Sequence, residues 1–305
     1  MIRQLAIALA ALSLPAAHAV EKVKVLIVTG QNNHNWVRST PVIRGLLEET
    51  GRFDVTVTTT PTKEAPKDAW QDWRPAFGKF DVVVSDYNGK EWPEPIKAEF
   101  VDYVHGGGRV ALVHAANNAF TGWKEYEEMT GLLWRANSYG ERLYFDAGMK
   151  LIRVPKNEGP GAGHGAGHAY RITTTDRANP IFSDLPEVWM HVSDELYHGQ
   201  RGPAANMHVL AAAFSSKESQ GTGVSEPIIW WIPYGKGKVF TLLPGHLGNN
   251  SNYYPTPYDC VGFRTVLQRS VEWIATDRVT IPRPENFPGP DRTSCITESQ
   301  QTLQR

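Results

Sequence analysis

Thiols are nearly missing from this chain. Among 305 residues there are two cysteines, Cys260 and Cys295, and the whole middle of the sequence has none. No thiol nucleophile can therefore come from the middle of the chain. Charge of one sign is missing too: 31 Lys and Arg stand against 32 Asp and Glu, and no basic block occurs. That removes the electrostatic footprint of a nucleic-acid binder or an anionic-membrane binder. No serine sits in a G-x-S-x-G elbow, no H-E-x-x-H pair announces a zinc helix, and no G-x-G-x-x-G follows a strand. Covalent serine chemistry and a nucleotide cofactor lose their usual signatures with them.

Long apolar runs are scarce as well. The longest, Leu5 to Leu14, is about half of what a membrane span needs. Met1-Ile2-Arg3 before it and Ala17-His18-Ala19 after it complete the pattern of a cleaved leader. Residues 1–19 are read as a signal peptide and the mature chain as starting at Val20, periplasmic or secreted, with no membrane anchor. In an oxidising compartment Cys260 and Cys295 could bridge or remain two free thiols; spacing leaves both open.

What is present is the pattern of an α/β fold. Val23 to Val28 is a near-continuous β-branched run that empties into Thr29-Gly30-Gln31-Asn32-Asn33-His34. Ser39-Thr40-Pro41 is read as opening a helix, Phe53 to Thr58 as a second strand and Phe80 to Val84 as a third. Pro95 to His105 is a helix stopped by three glycines, and Arg109 to Val113 is a fourth strand ending at His114. This alternation predicts a doubly wound, mainly parallel sheet in a three-layer, flavodoxin- or amidotransferase-like sandwich. Met207–Phe214, Pro227–Ile232 and Lys238–Leu243 read as further strands, with a hairpin at Tyr234–Gly237. Cys260–Ala275 reads as a terminal amphipathic helix. One domain is expected over 20–277, followed by an extended tail over 278–305. Glu158 to His168 holds five glycines in residues 159–167; it is expected to be a mobile loop acting as a lid.

In such a sheet ligands bind beyond the carboxyl ends of the strands. His34, His114 and His246 each follow a strand, and between the last two lies the dense run Met190-His191-Val192-Ser193-Asp194-Glu195-Leu196-Tyr197-His198. Imidazole titrates near neutral pH and a carboxylate or phenol can share its proton traffic. His34, His114, Glu195 and Tyr197 are therefore the candidate catalytic groups. Trp36, Asn117, Asp194 and His246 are the candidate substrate contacts. Further tryptophans and tyrosines (Trp123, Trp134, Tyr139, Tyr253, Tyr254) could stack on a pyranose, and Asn118, Asn249, Asn250 and Asn252 could bond its hydroxyls. Three imidazoles and one carboxylate, His34, His114, His246 and Glu195, also form a donor set for Zn²⁺ or another divalent ion. The same side chains could instead bind hydroxyls or move protons without metal.

Four segments carry a family resemblance: Thr-Gly-Gln-Asn-Asn-His34-Asn-Trp36, Gly-Gly-Gly-Arg-Val-Ala-Leu-Val-His114, Val-Ser-Asp194-Glu195-Leu-Tyr197 and Gly-Lys-Gly-Lys-Val-Phe-Thr-Leu-Leu-Pro-Gly-His246. In this order, and over about Val23 to Ala275, they resemble the ThuA (trehalose-utilisation) family, whose fold is similar to class I glutamine amidotransferases. The resemblance implies a small carbohydrate partner, a glycoside or 3-keto-sugar, and chemistry by elimination, hydrolysis or isomerisation. The alternative it allows is a non-catalytic sugar-binding module. Assembly into a homo-oligomer is left open. Amidotransferases place a nucleophilic Cys in the turn after such a strand; here that turn is His114-Ala115-Ala116. A glutaminase therefore has no nucleophile.

Overall fold

Alternation along the central strands explains the layers. The computed structural model describes residues 21–249 and 254–296; the expected leader, Asn250, Asn252, Tyr253 and the chain beyond Ile296 lie outside them. In chain order the elements are β1 (Val23–Thr29), α1 (Trp36–Glu48), β2 (Phe53–Thr59), α2 (Ala69–Asp72), β3 (Val82–Ser85), α3 (Glu94–Gly106), β4 (Arg109–Val113) and α4 (Lys124–Thr130). Then follow β5 (Arg142–Phe145), β6 (Leu151–Val154), β7 (Gly163–His164), β8 (His168–Thr174), β9 (Val188–Asp194), β10 (Tyr197–His198), β11 (His208–Phe214), β12 (Ser225–Tyr234), β13 (Gly237–Leu242) and α5 (Val261–Thr276). Val25, Ile27, Val84, Ala111 and Phe240 face one core with Ile43 and Leu47 of α1 and Val266, Leu267 and Val271 of α5. Leu26, Val28, Val83, Leu112 and Val239 face the other, with Ile96, Phe100 and Val104 of α3 and Met129 of α4. A strand buried on both faces needs apolar residues of both parities, which is why β1 reads as a continuous run.

The sheet order is β2-β1-β3-β4-β13-β12-β11-β8-β9, with β5 and β6 attached to β12. The first five strands are parallel, so the doubly wound centre is as expected. The remaining ladder is antiparallel. The tight turn at Tyr234–Gly237 is the seam where one half passes into the other. Two-residue turns can only reverse a strand, so an antiparallel extension follows from that hairpin.

Two expectations are corrected, and the extended tail gains detail. The first helix starts at Trp36, not at Ser39, because the Asn35 side chain caps it by accepting from the Arg38 N–H. Pro41 then lies inside α1 on its exposed side, where water can take the hydrogen bond its ring removes. Trp123 belongs to an aromatic core with Trp73, Trp92 and Phe100 rather than to a ligand-facing loop. The segment after α5 is packed as far as it is described: Val279, Ile281 and Phe287 lie against the core, and the Met190 N–H donates to the Gly289 carbonyl.

Candidate functional site

Three loops from the parallel half meet over its carboxyl edge. The loop after β1 brings His34, whose neighbour Asn35 donates its N–H to the Leu247 carbonyl in the loop after β13. At the end of β4 the chain turns through a left-handed residue, His114 itself (φ 47°), which lifts its imidazole off the strand. Gly245 after β13 also has positive φ (125°), and a side chain there would press on Phe263 and on the His114 Cβ. The result is an imidazole cluster: the His34 ring lies 4.7 Å from His114 and 5.0 Å from His246, and His114 lies 5.6 Å from His246.

Glu195 comes from the antiparallel half. Its Oε1 lies 3.4 Å from His246 Nε2 and 3.6 Å from His164 Nε2. Tyr197 follows in β10, its ring between His114 (4.6 Å) and Trp134 (4.7 Å). Imidazoles, one carboxylate and one phenol are thus brought together by segments that are far apart in sequence.

The tautomers follow from the acceptors. His114 Nδ1 lies 2.6 Å from the Leu243 carbonyl, which can only accept, so Nδ1 carries the hydrogen. His114 Nε2 is then a lone pair, and it accepts from the Tyr197 hydroxyl at 3.0 Å. His34 Nδ1 faces the amide oxygens of Asn32 (3.3 Å) and Asn33 (3.2 Å), leaving its Nε2 lone pair free. Burial pushes the His34 pKa down to about 4, and the neighbouring His246 adds to this. His114 is held well below the usual imidazole range by burial and by His34, against the pull of the Leu243 carbonyl. Both rings are neutral at pH 7. Burial raises the Glu195 carboxyl above its ordinary range despite His246 and His164, and it holds the Tyr197 phenol in its protonated form.

A donor set for a divalent ion is present among the described residues. Ligand atoms of His34, His114 and Glu195 all lie within 4.8 Å of one another. Two neutral imidazoles and one carboxylate suit Zn²⁺ and similar ions, and the hydrogen bond from His114 Nδ1 to a carbonyl is the kind of orienting contact metal-bound histidines make. The set therefore fits the group. His246 stands beside it, through Glu195.

Two expected substrate contacts have other work. Asp194 is buried; Oδ2 accepts from His191 Nε2 and the Gly245 N–H, both at 2.8 Å, and Oδ1 from the N–H groups of Glu195 (2.8 Å) and His246 (3.1 Å). It fixes the loops that carry the site. Asn117 is fully buried (0% exposed), with its amide donating to the Leu132 carbonyl and to Gln200. Trp36 opens α1 half-buried, with no ring contact to the cluster among the described residues.

Sequence reasoning missed His164 and the orienting role of Asp194. The glycine-rich segment is no free flap: β7 pairs with β10, placing His164 opposite Tyr197, and Arg201 binds the Glu158 and Pro160 carbonyls. Gly165 packs so closely on the Ser219 carbonyl that a Cβ would sit 1.6 Å from it. The glycines there permit contact rather than motion. The signal that could have revealed this is the matched length of Gly163-His164 and Tyr197-His198, too short to register as strands.

The comparisons agree with one another. A family model described as "Trehalose utilisation" (ThuA) matches residues 24–274. A ThuA-like protein from Parabacteroides merdae is 36% identical over 90% of this chain and 98% of its own, with a TM-score of 0.84. A second ThuA-like protein, from Bacteroides uniformis, is 15% identical, covers 89% of this chain and 99% of its own, and has a TM-score of 0.55, a likeness of fold. No curated protein matches the chain.

Proposed function

From the premise that this chain belongs to the ThuA family, we propose that it is a carbohydrate-active enzyme working outside the cytoplasm on a glycoside or 3-keto-sugar. The observation that carries the reading is the convergence of His34, His114 and Glu195, with both imidazoles kept neutral. Those three would hold a divalent ion such as Zn²⁺, with His246 beside them. When bound, such an ion supplies Lewis acidity toward a sugar carbonyl or hydroxyl oxygen.

The roles of the chain's own groups follow from their protonation. His114 and His34 are poor bases because burial opposes their charged forms, so they serve as lone-pair donors. Glu195, whose carboxyl burial raises above its ordinary range, would give one oxygen to the ion and has the second with which to take the proton next to a carbonyl and return it to a leaving oxygen. The Tyr197 hydroxyl, which donates to His114 Nε2, can turn that donation to a substrate oxygen. Trp134, edge-on to Tyr197 and beside His164, offers an apolar wall for the C–H face of a sugar ring.

The test begins with tag-free protein, elemental analysis, and incubation with 3-keto-glucosides while following enone absorbance. Stoichiometric divalent metal, and turnover abolished by Glu195→Gln, are the expected results. Binding of glycosides without turnover across a broad panel would establish the sugar-binding module instead. Substoichiometric metal, or loading unchanged in His34→Ala and His114→Ala, would remove the metal from the reading.

A further inference from the structure

The two cysteines, thirty-five positions apart in sequence, face each other across an isolated antiparallel bridge. The Val261 N–H donates to the Ser294 carbonyl and the Ile296 N–H to the Asp259 carbonyl, both at 2.9 Å. These bonds flank the pair, so Cys260 and Cys295 are the non-hydrogen-bonded partners of the bridge. Such partners bring their Cα atoms to about 4.5 Å, within the roughly 4.4–6.8 Å that a disulfide spans. Both are thiols in the structure.

From this register we propose that Cys260 and Cys295 form an intrachain disulfide that fastens the C-terminal segment 278–296 to the start of α5.

The surroundings support the bond at both ends. The segment is already laid along β9: Met190 bonds Gly289, Phe287 stacks edge-on against Trp189 at 5.6 Å, and Arg171 reaches Pro290 and Asp291. The ring-closing geometry therefore exists before oxidation, and closing it requires little movement of the backbone. Cys260 is fully buried and Cys295 is half-buried, so an oxidant meets Cys295 first. A small-molecule disulfide, oxidised glutathione, accepts the two electrons. The Cys295 sulfur attacks it, forming a mixed disulfide and releasing one glutathione thiol. The Cys260 sulfur then attacks the Cys295 sulfur, forming the intrachain bond and releasing the second glutathione. Two protein thiols are oxidised, one disulfide is reduced, and the two protons leave with the glutathione thiols. Cys260 is suited to the second step: burial raises its pKa, but the adjoining His191 outweighs this and holds the thiol below its ordinary value.

The inference does not rest on the carbohydrate reading. Folded full-length protein is incubated with oxidised glutathione, quenched with iodoacetamide and digested without reductant. The expected product is a peptide pair joined through Cys260 and Cys295, two mass units lighter than the sum of its reduced parts. Two alkylated cysteines, or glutathione left on Cys295, would overturn the proposal. Thermal unfolding supplies a second readout. The oxidised protein is expected to melt on the order of 5 °C above the reduced one, the effect of closing a loop of this length. Cys295→Ser, at a half-buried position that tolerates a hydroxyl, should melt with the reduced wild type under both conditions. An oxidised form that melts with the reduced form would overturn the fastening role.

Discussion

Two fully buried histidines of this molecule are pushed in opposite directions by their surroundings. His114 sits over the parallel half of the sheet with His34 and His246 around it and a backbone carbonyl accepting from its ring; its proton-binding is suppressed. His191, in β9 of the antiparallel half, is buried as completely, yet its pKa is raised to about 9: burial lowers it, and the Cys260 and Asp194 side chains together outweigh burial. Burial does not decide whether an imidazole is charged; the neighbour that can answer the charge does. The consequence is a division of labour. The uncharged region offers lone pairs to a ligand, and the charged region is a clamp that positions the backbone around it.

The largest expected effect comes from cutting the clamp. Asp194→Ala removes the acceptor of three backbone N–H groups and leaves His191 buried without its carboxylate partner. It should cost about 3–5 kcal/mol in denaturant unfolding and abolish divalent binding together with it. A loss under about 1 kcal/mol would dissolve the distinction between the two regions. Glu195→Gln acts on the other side. It should weaken Zn²⁺ binding by about 100-fold or more in calorimetric titration and change stability by less than about 1 kcal/mol, since only this carboxylate's charge is altered.

A third prediction uses pH, with opposite signs. His34 has a folded pKa near 4, below the unfolded value, so its contribution is complete above about pH 6.5 and is lost as pH falls toward 4. His191, raised to about 9, contributes fully below about pH 6.5 and loses that contribution as pH rises through 9. Metal-free wild type minus His34→Gln should therefore lose about 2 kcal/mol between pH 6.5 and 4. Wild type minus His191→Gln, both kept reduced so that the Cys260 thiol is present, should lose a similar amount between pH 6.5 and 9. Two difference curves sloping the same way would contradict the assignment. An effect of similar size concerns Asp86, a buried acid whose carboxylate accepts from the Ser39 and Thr40 hydroxyls, both at 2.7 Å. Burial lifts its pKa to about 7 against those bonds, so stability from its neutral form falls as pH rises from about 4 through 7. Asp86→Asn should gain about 2 kcal/mol over wild type at pH 8 relative to pH 5, measured by the same unfolding titration.

The parallel half of this molecule was legible because its strands are buried on both faces and their ends are marked by polar loops. Val23–Val28 and Arg109–Val113 could hardly be anything else, and His34, His114 and His246 could be located by counting to the strand ends. The antiparallel half was only partly legible. β5, β6, β8 and β9 carry mixed residues on half-covered surfaces, and β7 and β10 are two residues long. Asp194 and Glu195 were adjacent candidates that sequence could not separate; only the fold shows that one turns inward to four donors and the other to the imidazoles. Asn117 reads as a loop asparagine, but a short 3₁₀ turn at His114–Asn118 carries its amide under the floor of the crevice. His164 was hidden by its glycines, whose role is to let backbone approach backbone.

The parallel half also fixes when the site can exist. His114 is held by Leu243, 129 positions later in the chain, and β4 gains its second parallel neighbour only when β13 inserts. A growing polypeptide that has not yet delivered Gly237–Leu242 has an open sheet edge at β4 and no His246. Contacts this distant form late, because the loop between them must be ordered first. Ligand capture is then a completion signal: during refolding, the binding signal should rise with the slowest structural phase and never ahead of it.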